Sequence, residues 1–108
     1  MLDLRLYLLQ RLSALIMAPL VVGHIATMIY AIQGGLTTTE ILARTQGFTL
    51  WFGFYGLFVL AASVHGAIGL RTICHEWFKL RGDALTAVTL TLFAGMLFLG
   101  MRAVFAVT

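Results

Sequence analysis

Three long runs of apolar residues dominate the chain, over about residues 12–32, 48–70 and 84–104. Each is close to the roughly 20 residues that a helix needs to cross the hydrocarbon core of a bilayer. Polar positions collect between the runs. Gln33, Gly34 and Gly35 form a turn, and Thr37, Thr38 or Thr39 then caps a short interfacial helix through Arg44. Residues 71–83 read as a charged loop holding Arg71, His75, Glu76, Lys79, Arg81 and Asp83. Pro19 falls within the first run and should loosen or kink one turn, which neighbouring helices make tolerable in a membrane. The first run exceeds a signal-peptide core and lacks a clean small-x-small cleavage site, so it reads as a retained span. The expected fold is all-α: a single membrane domain, residues 1–108, forming an up-down-up bundle of three transmembrane helices. Gly53, Gly56, Gly66, Gly69, Gly95 and Gly100 offer points of close helix approach.

Composition agrees with this pattern. The 108 residues are 61% hydrophobic and only 10% charged, whereas a soluble domain is nearer half apolar and a quarter charged. The single cysteine, Cys74, excludes an internal disulfide and cannot alone hold zinc or an iron–sulfur cluster. Arg5, Arg11, Arg71, Lys79 and Arg81 fall on one side of the spans, and Arg44 and Arg102 on the other. The positive-inside rule then puts the N terminus in the cytoplasm and the C terminus outside. The net charge of +3 follows from this asymmetry and needs no nucleic-acid partner.

The candidate chemistry starts at His65, an ionisable side chain within the second run. Such a group is costly in a membrane and marks a functional site by default. Imidazole is a common axial ligand of haem iron, and Gly66 and Gly69 leave room for a flat macrocycle. The plainer alternative is a histidine that lines a helix contact. His24 carries the same pair of readings beside Gly23. Measured from Arg71 and Arg11, His65 lies about 9 Å and His24 about 20 Å from the cytoplasmic edge. The two are therefore not expected to share one haem, and the opposite ligand of His65 should come from another polypeptide. Tyr7, Gln10 and Arg11 lie near one another at helical spacing, with Ser13 following. These donors suit a quinone headgroup, although Arg11 also serves as a snorkelling residue. His75 reads as solvated or facing a partner. Trp51 and Trp77 read as interface residues, and the aromatic series Phe48, Trp51, Phe52, Phe54, Tyr55, Phe58 as packed or lipid-facing.

Two of these groups resemble known motifs. The chain is similar to the cytochrome b membrane-anchor subunits of succinate dehydrogenase and fumarate reductase (respiratory complex II). Their first helix opens with Ser-x-x-His-Arg-x-Ser/Thr-Gly; here the string is Tyr7-x-x-Gln10-Arg11-x-Ser13-Ala14. Their second carries His-x-x-x-Gly-x-Arg and a downstream acid, matched by His65, Gly69, Arg71 and Glu76. The first motif departs at two positions, with tyrosine for serine and glutamine for histidine.

The resemblance implies His65 as the axial ligand of haem b and Arg71 as the partner of a haem propionate. It implies Arg11, with Ser13, Gln10 and Tyr7, at a ubiquinone or menaquinone site. His24 corresponds to the ligand of a second haem in two-haem members. The implied setting is the bacterial inner membrane, among lipid and a second anchor subunit. A flavoprotein subunit with FAD would handle the dicarboxylate, and an iron–sulfur subunit would carry electrons to quinone. The chain would be non-catalytic by itself, tuning and positioning what others react. Two other functions compete: a haem-free quinone anchor, and a non-redox assembly or transport subunit. The second is disfavoured because Glu40, Glu76 and Asp83 are all expected in loops, leaving no acid within a span.

Overall fold

In hydrocarbon the backbone must satisfy its own hydrogen bonds, so an apolar run of this length crosses as an α-helix. The computed structural model describes residues 2–108; Met1, the first residue of the expected domain, lies outside the described residues. Four helices follow in order: α1 (Leu2–Gly34), α2 (Thr38–Thr45), α3 (Thr49–Phe78) and α4 (Gly82–Val107). Of these, α1, α3 and α4 are long and apolar enough to cross a membrane. The expected first and third spans lie inside α1 and α4, and the second falls on α3 with Phe48 as its N-cap.

The helices outrun the spans. The 33 residues of α1 make a rod of about 50 Å, against a hydrocarbon core of about 30 Å. Its first three turns carry Asp3, Arg5, Tyr7, Gln10 and Arg11. The chain remains α-helical through Pro19, so the expected loosening does not break the helix. The charged loop proves to be much shorter than residues 71–83. Arg71, His75 and Glu76 belong to α3, Asp83 to the first turn of α4, and Glu40 to α2. Nothing between Arg71 and Phe78 interrupts a helix, since the segment lacks glycine and proline. The stop comes at Lys79, which turns left-handed at φ 58°. The Leu80 N–H then reaches back to the Cys74 carbonyl at 3.3 Å, and His75 Nδ1–H donates to the Leu80 carbonyl at 2.9 Å.

Packing is organised around α3, which contacts α1 along one side and α4 along the other, while α1 and α4 barely meet. Both pairs are antiparallel. Along α1 and α3, Ser13 meets His65 and His24 meets Phe58. Along α3 and α4, Gly66 receives Met96, Val59 lies on Gly100, and Phe52 stacks near Phe105. This is the expected up-down-up arrangement. Of the proposed close-approach glycines, Gly66 and Gly100 are used, Gly69 meets the Gln10 amide of α1, and Gly23 joins them against Phe54. Gly53, Gly56 and Gly95 meet nothing within 4 Å, because they face away from the neighbouring helices of this chain.

The short helix closes the far end. Thr37 caps α2 in a reciprocal box with Glu40. Thr45 Oγ1 donates to the Val107 carbonyl, and Gly47 N–H donates to the Thr108 carbonyl at 3.1 Å. Arg44 donates to the Gly35 carbonyl and lies over the Tyr30 ring. Much of the remaining surface is apolar, with Leu15, Val22, Leu50 and Phe98 all more than 60% exposed. A bilayer or a neighbouring subunit would cover such a surface.

Candidate functional site

Ser13 and His65 define the main site. Ser13 is 5% exposed, one of the few buried polar side chains. Its Oγ–H donates to the Gln10 carbonyl one turn back, at 2.9 Å. The same oxygen lies 3.4 Å from His65 Nδ1. Because the hydroxyl proton is already committed to Gln10, Nδ1–H is the donor and Ser13 Oγ the acceptor in that second contact. The neutral ring then keeps its lone pair on Nε2, which has no protein partner among the described residues and is not sealed off.

His65 opens on a cleft of about 680 Å³, lined also by Leu8, Gln10, Arg11, Leu12, Ala14 and Leu15. That volume falls within the range of small-molecule and cofactor sites. The apolar lining comes from α1, and Gln10, Arg11 and His65 supply the polar side chains. Arg11 is exposed, lies over the Tyr7 ring at 5.7 Å and makes no ion pair among the described residues. Gln10 Oε1 is buried without a hydrogen-bond partner. The amide's other end approaches Gly69, where an added Cβ would stand 3.7 Å from Nε2. A buried amide without a partner is costly, and rotating it by 180° turns the orphan into a donor. The cleft thus offers one imidazole nitrogen, one guanidinium and one amide to whatever occupies it.

The other sequence candidates fall elsewhere. Tyr7 is 57% exposed and touches the site only through Arg11. Arg71 does not line the cleft; six residues on from His65, it sits about 9 Å along α3 and about 120° round it. His24 packs edge-on against Phe58 and Tyr55, with ring centroids 5.1 and 6.3 Å away. Phe58 precedes His65 by two turns, so the histidines stand about 10 Å apart along α3. They do not face a common point. His24 lines a separate cleft of about 380 Å³ with Tyr55, Phe58, Val59, Gly100, Ala103, Val104 and Val107. Its Nδ1 is buried and unpartnered. Tyr55 and Phe58 were readable only as aromatics in an apolar run; their spacing of three, which puts them on one helix face, was the available signal. Trp51 stacks on Tyr55 at 5.7 Å, so it is part of this packed cluster. Trp77, by contrast, is 76% exposed.

The residues fit a haem. The donor set pairs an imidazole, held at one nitrogen and free at the other, with a guanidinium that makes no ion pair among the described residues and an amide whose Oε1 has no partner among them. The described residues contain no cluster of three or more His, Cys, Asp or Glu side chains that could hold a metal ion. No curated protein and no solved structure matches the chain. Over residues 2–105, however, it matches the succinate dehydrogenase/fumarate reductase transmembrane subunit, and the chain belongs to that family.

Proposed function

We propose that this chain is a haem b-binding anchor of a succinate:quinone oxidoreductase, with His65 as one axial ligand through Nε2. One observation carries the reading: a mid-helix histidine is held at Nδ1 while its second nitrogen faces an open cleft beside Arg11 and Gln10. Any second protein ligand to the group would come from another subunit, since His24 stands at least two turns away. Haem bound here supplies a one-electron redox centre whose potential depends on its axial ligands and surroundings. The chain's own residues hold and orient. Arg11 and Gln10 donate to quinone carbonyl oxygens or propionate carboxylates at the end of the cleft. Arg11, with its charge uncompensated, also favours the negative charge that develops on a quinone oxygen during reduction. Arg71, outside the cleft and further along α3, would meet a propionate only where the group extends beyond the lining of this chain. One haem is preferred to two because the His24 cleft contains no basic side chain to meet propionates.

Family membership and the charge pattern support the rest of this reading. Arg5, Arg11, Arg71, Lys79 and Arg81 mark the cytoplasmic side, where the helical extensions of α1 and α3 meet the iron–sulfur subunit. That subunit passes electrons from a flavoprotein carrying FAD to ubiquinone or menaquinone, in a bacterial inner membrane. The test is the haem content of the purified complex with and without His65→Ala. Loss of haem in the variant supports the assignment, and unchanged haem overturns it. A haem-free wild-type complex that still reduces quinone would instead establish a quinone-only anchor.

A further inference from the structure

Ser13 stands behind His65, outside the lining of the cleft that Arg11 and Gln10 share. A quinone site would want Ser13 as a donor, but its hydroxyl proton points to the Gln10 carbonyl at 2.9 Å. What the hydroxyl has left is lone-pair density, and the polar atom that meets it is His65 Nδ1. Ser13 is buried, only 5% exposed, so water does not compete for that position. The contact of 3.4 Å is longer than the usual 2.9–3.0 Å of an N–H···O bond. It nonetheless joins two helices inside the membrane region, where few alternatives exist for either partner.

Resting on the haem reading above, we infer that Ser13 is a positioning residue for His65. The relay runs from His65 Nδ1–H to Ser13 Oγ, and from Ser13 Oγ–H to the Gln10 carbonyl. It fixes the tautomer that leaves Nε2 free and sets the ring plane. A hydrogen bond accepted from the far nitrogen also makes an imidazole a stronger donor to its metal. It favours the ferric state, and losing the bond moves the haem potential in the positive direction. The backbone carbonyl of Gln10 thereby has a part in the relay that its side chain does not share. Sequence position alone suggested a quinone role for Ser13; the helix register gives it a different neighbour.

The experiment compares wild-type, Ser13→Ala, Ser13→Thr and Ser13→Cys complexes, each purified with its partner subunits. Three quantities are read: haem content, midpoint potential, and the g-values of the ferric haem in electron paramagnetic resonance. Ser13→Ala should keep haem, shift its potential positively and change the g-values. Ser13→Thr retains the hydroxyl and should restore both. Ser13→Cys keeps a side chain of similar shape with a poor acceptor; it should follow Ser13→Ala, and it preserves the test when Ser13→Ala does not assemble. An unshifted potential in a haem-containing Ser13→Ala or Ser13→Cys complex would overturn the inference. So would equal shifts in Ser13→Ala and Ser13→Thr, which would mark a packing effect. If wild type itself holds no haem, the haem reading fails together with this one, and the two failures are told apart by that control.

Discussion

Of the glycines between α3 and α4, Gly100 leaves the least room for a side chain, and replacing it with alanine should separate the helices. A Cβ built there would lie 2.5 Å from Val59 Cγ1, 3.1 Å from Cγ2 and 3.3 Å from Cβ. Ordinary carbon contacts lie at about 3.5–4.0 Å, so roughly 1 Å of displacement is required. Valine cannot supply it by rotation, because a β-branched side chain in a helix has one strongly preferred χ1 rotamer. The backbones must move instead. Overpacking of this kind costs about 1–3 kcal/mol, and the better helix propensity of alanine returns up to about 1 kcal/mol. Taken at mid-range these leave a net loss of about 1–2 kcal/mol, which changes the folded-to-unfolded ratio by about 5- to 30-fold. The assay is a denaturation midpoint in detergent for Gly100→Ala, Val59→Ala and the double variant. The steric account requires a coupling of at least about 1 kcal/mol, with the double variant recovering most of the loss. A fully stable Gly100→Ala would refute it, as would a loss that persists undiminished in the Val59→Ala background.

Other outcomes follow from the site. Arg11→Ala should lower quinone reduction by at least about tenfold, the scale for loss of one preorganised charge contact, while flavin-dependent dye reduction by the same complex is unaffected; parallel loss of both activities would indicate failed assembly. His24→Phe should leave haem stoichiometry unchanged and raise stability by about 1 kcal/mol, since it removes a buried, unpartnered nitrogen; a lost haem equivalent in the pyridine haemochrome assay would assign His24 to a second haem. Lys79→Gly should stabilise the complex by about 1 kcal/mol, because Lys79 occupies a left-handed conformation that suits glycine better. An unchanged or lowered melting midpoint would contradict that expectation.

Much of the architecture can be read in the sequence because hydrocarbon imposes it. The three apolar runs leave the backbone no choice but helix, and their short connections force neighbours to run antiparallel. The ends are a different matter. Hydropathy reports where the solvent changes, whereas helices end where capping or backbone conformation stops them. Thus α1 begins ten residues before its apolar run, and α3 continues through Arg71, His75 and Glu76 to the left-handed Lys79. This explains why Ser13 and His65 are not paired by sequence. Depth was counted as though Arg11 and Arg71 lay in one plane. Ser13 follows Arg11 by only two residues, yet it meets His65, which precedes Arg71 by six. Arg71 must therefore project about 6 Å farther along the axis than Arg11. The separation of His24 from His65 only widens, since His24 follows Ser13 by eleven residues, about 16 Å along α1.

The account turns on whether this chain, in its native complex, binds haem at His65. The most direct measurement is a dithionite-reduced minus oxidised spectrum of the complex purified through this chain, quantified as pyridine haemochrome. One haem b per copy of the chain is the predicted result. A complex that is intact and active toward quinone but has no haem absorbance would contradict the account, leaving His65 as a packing residue in a quinone anchor.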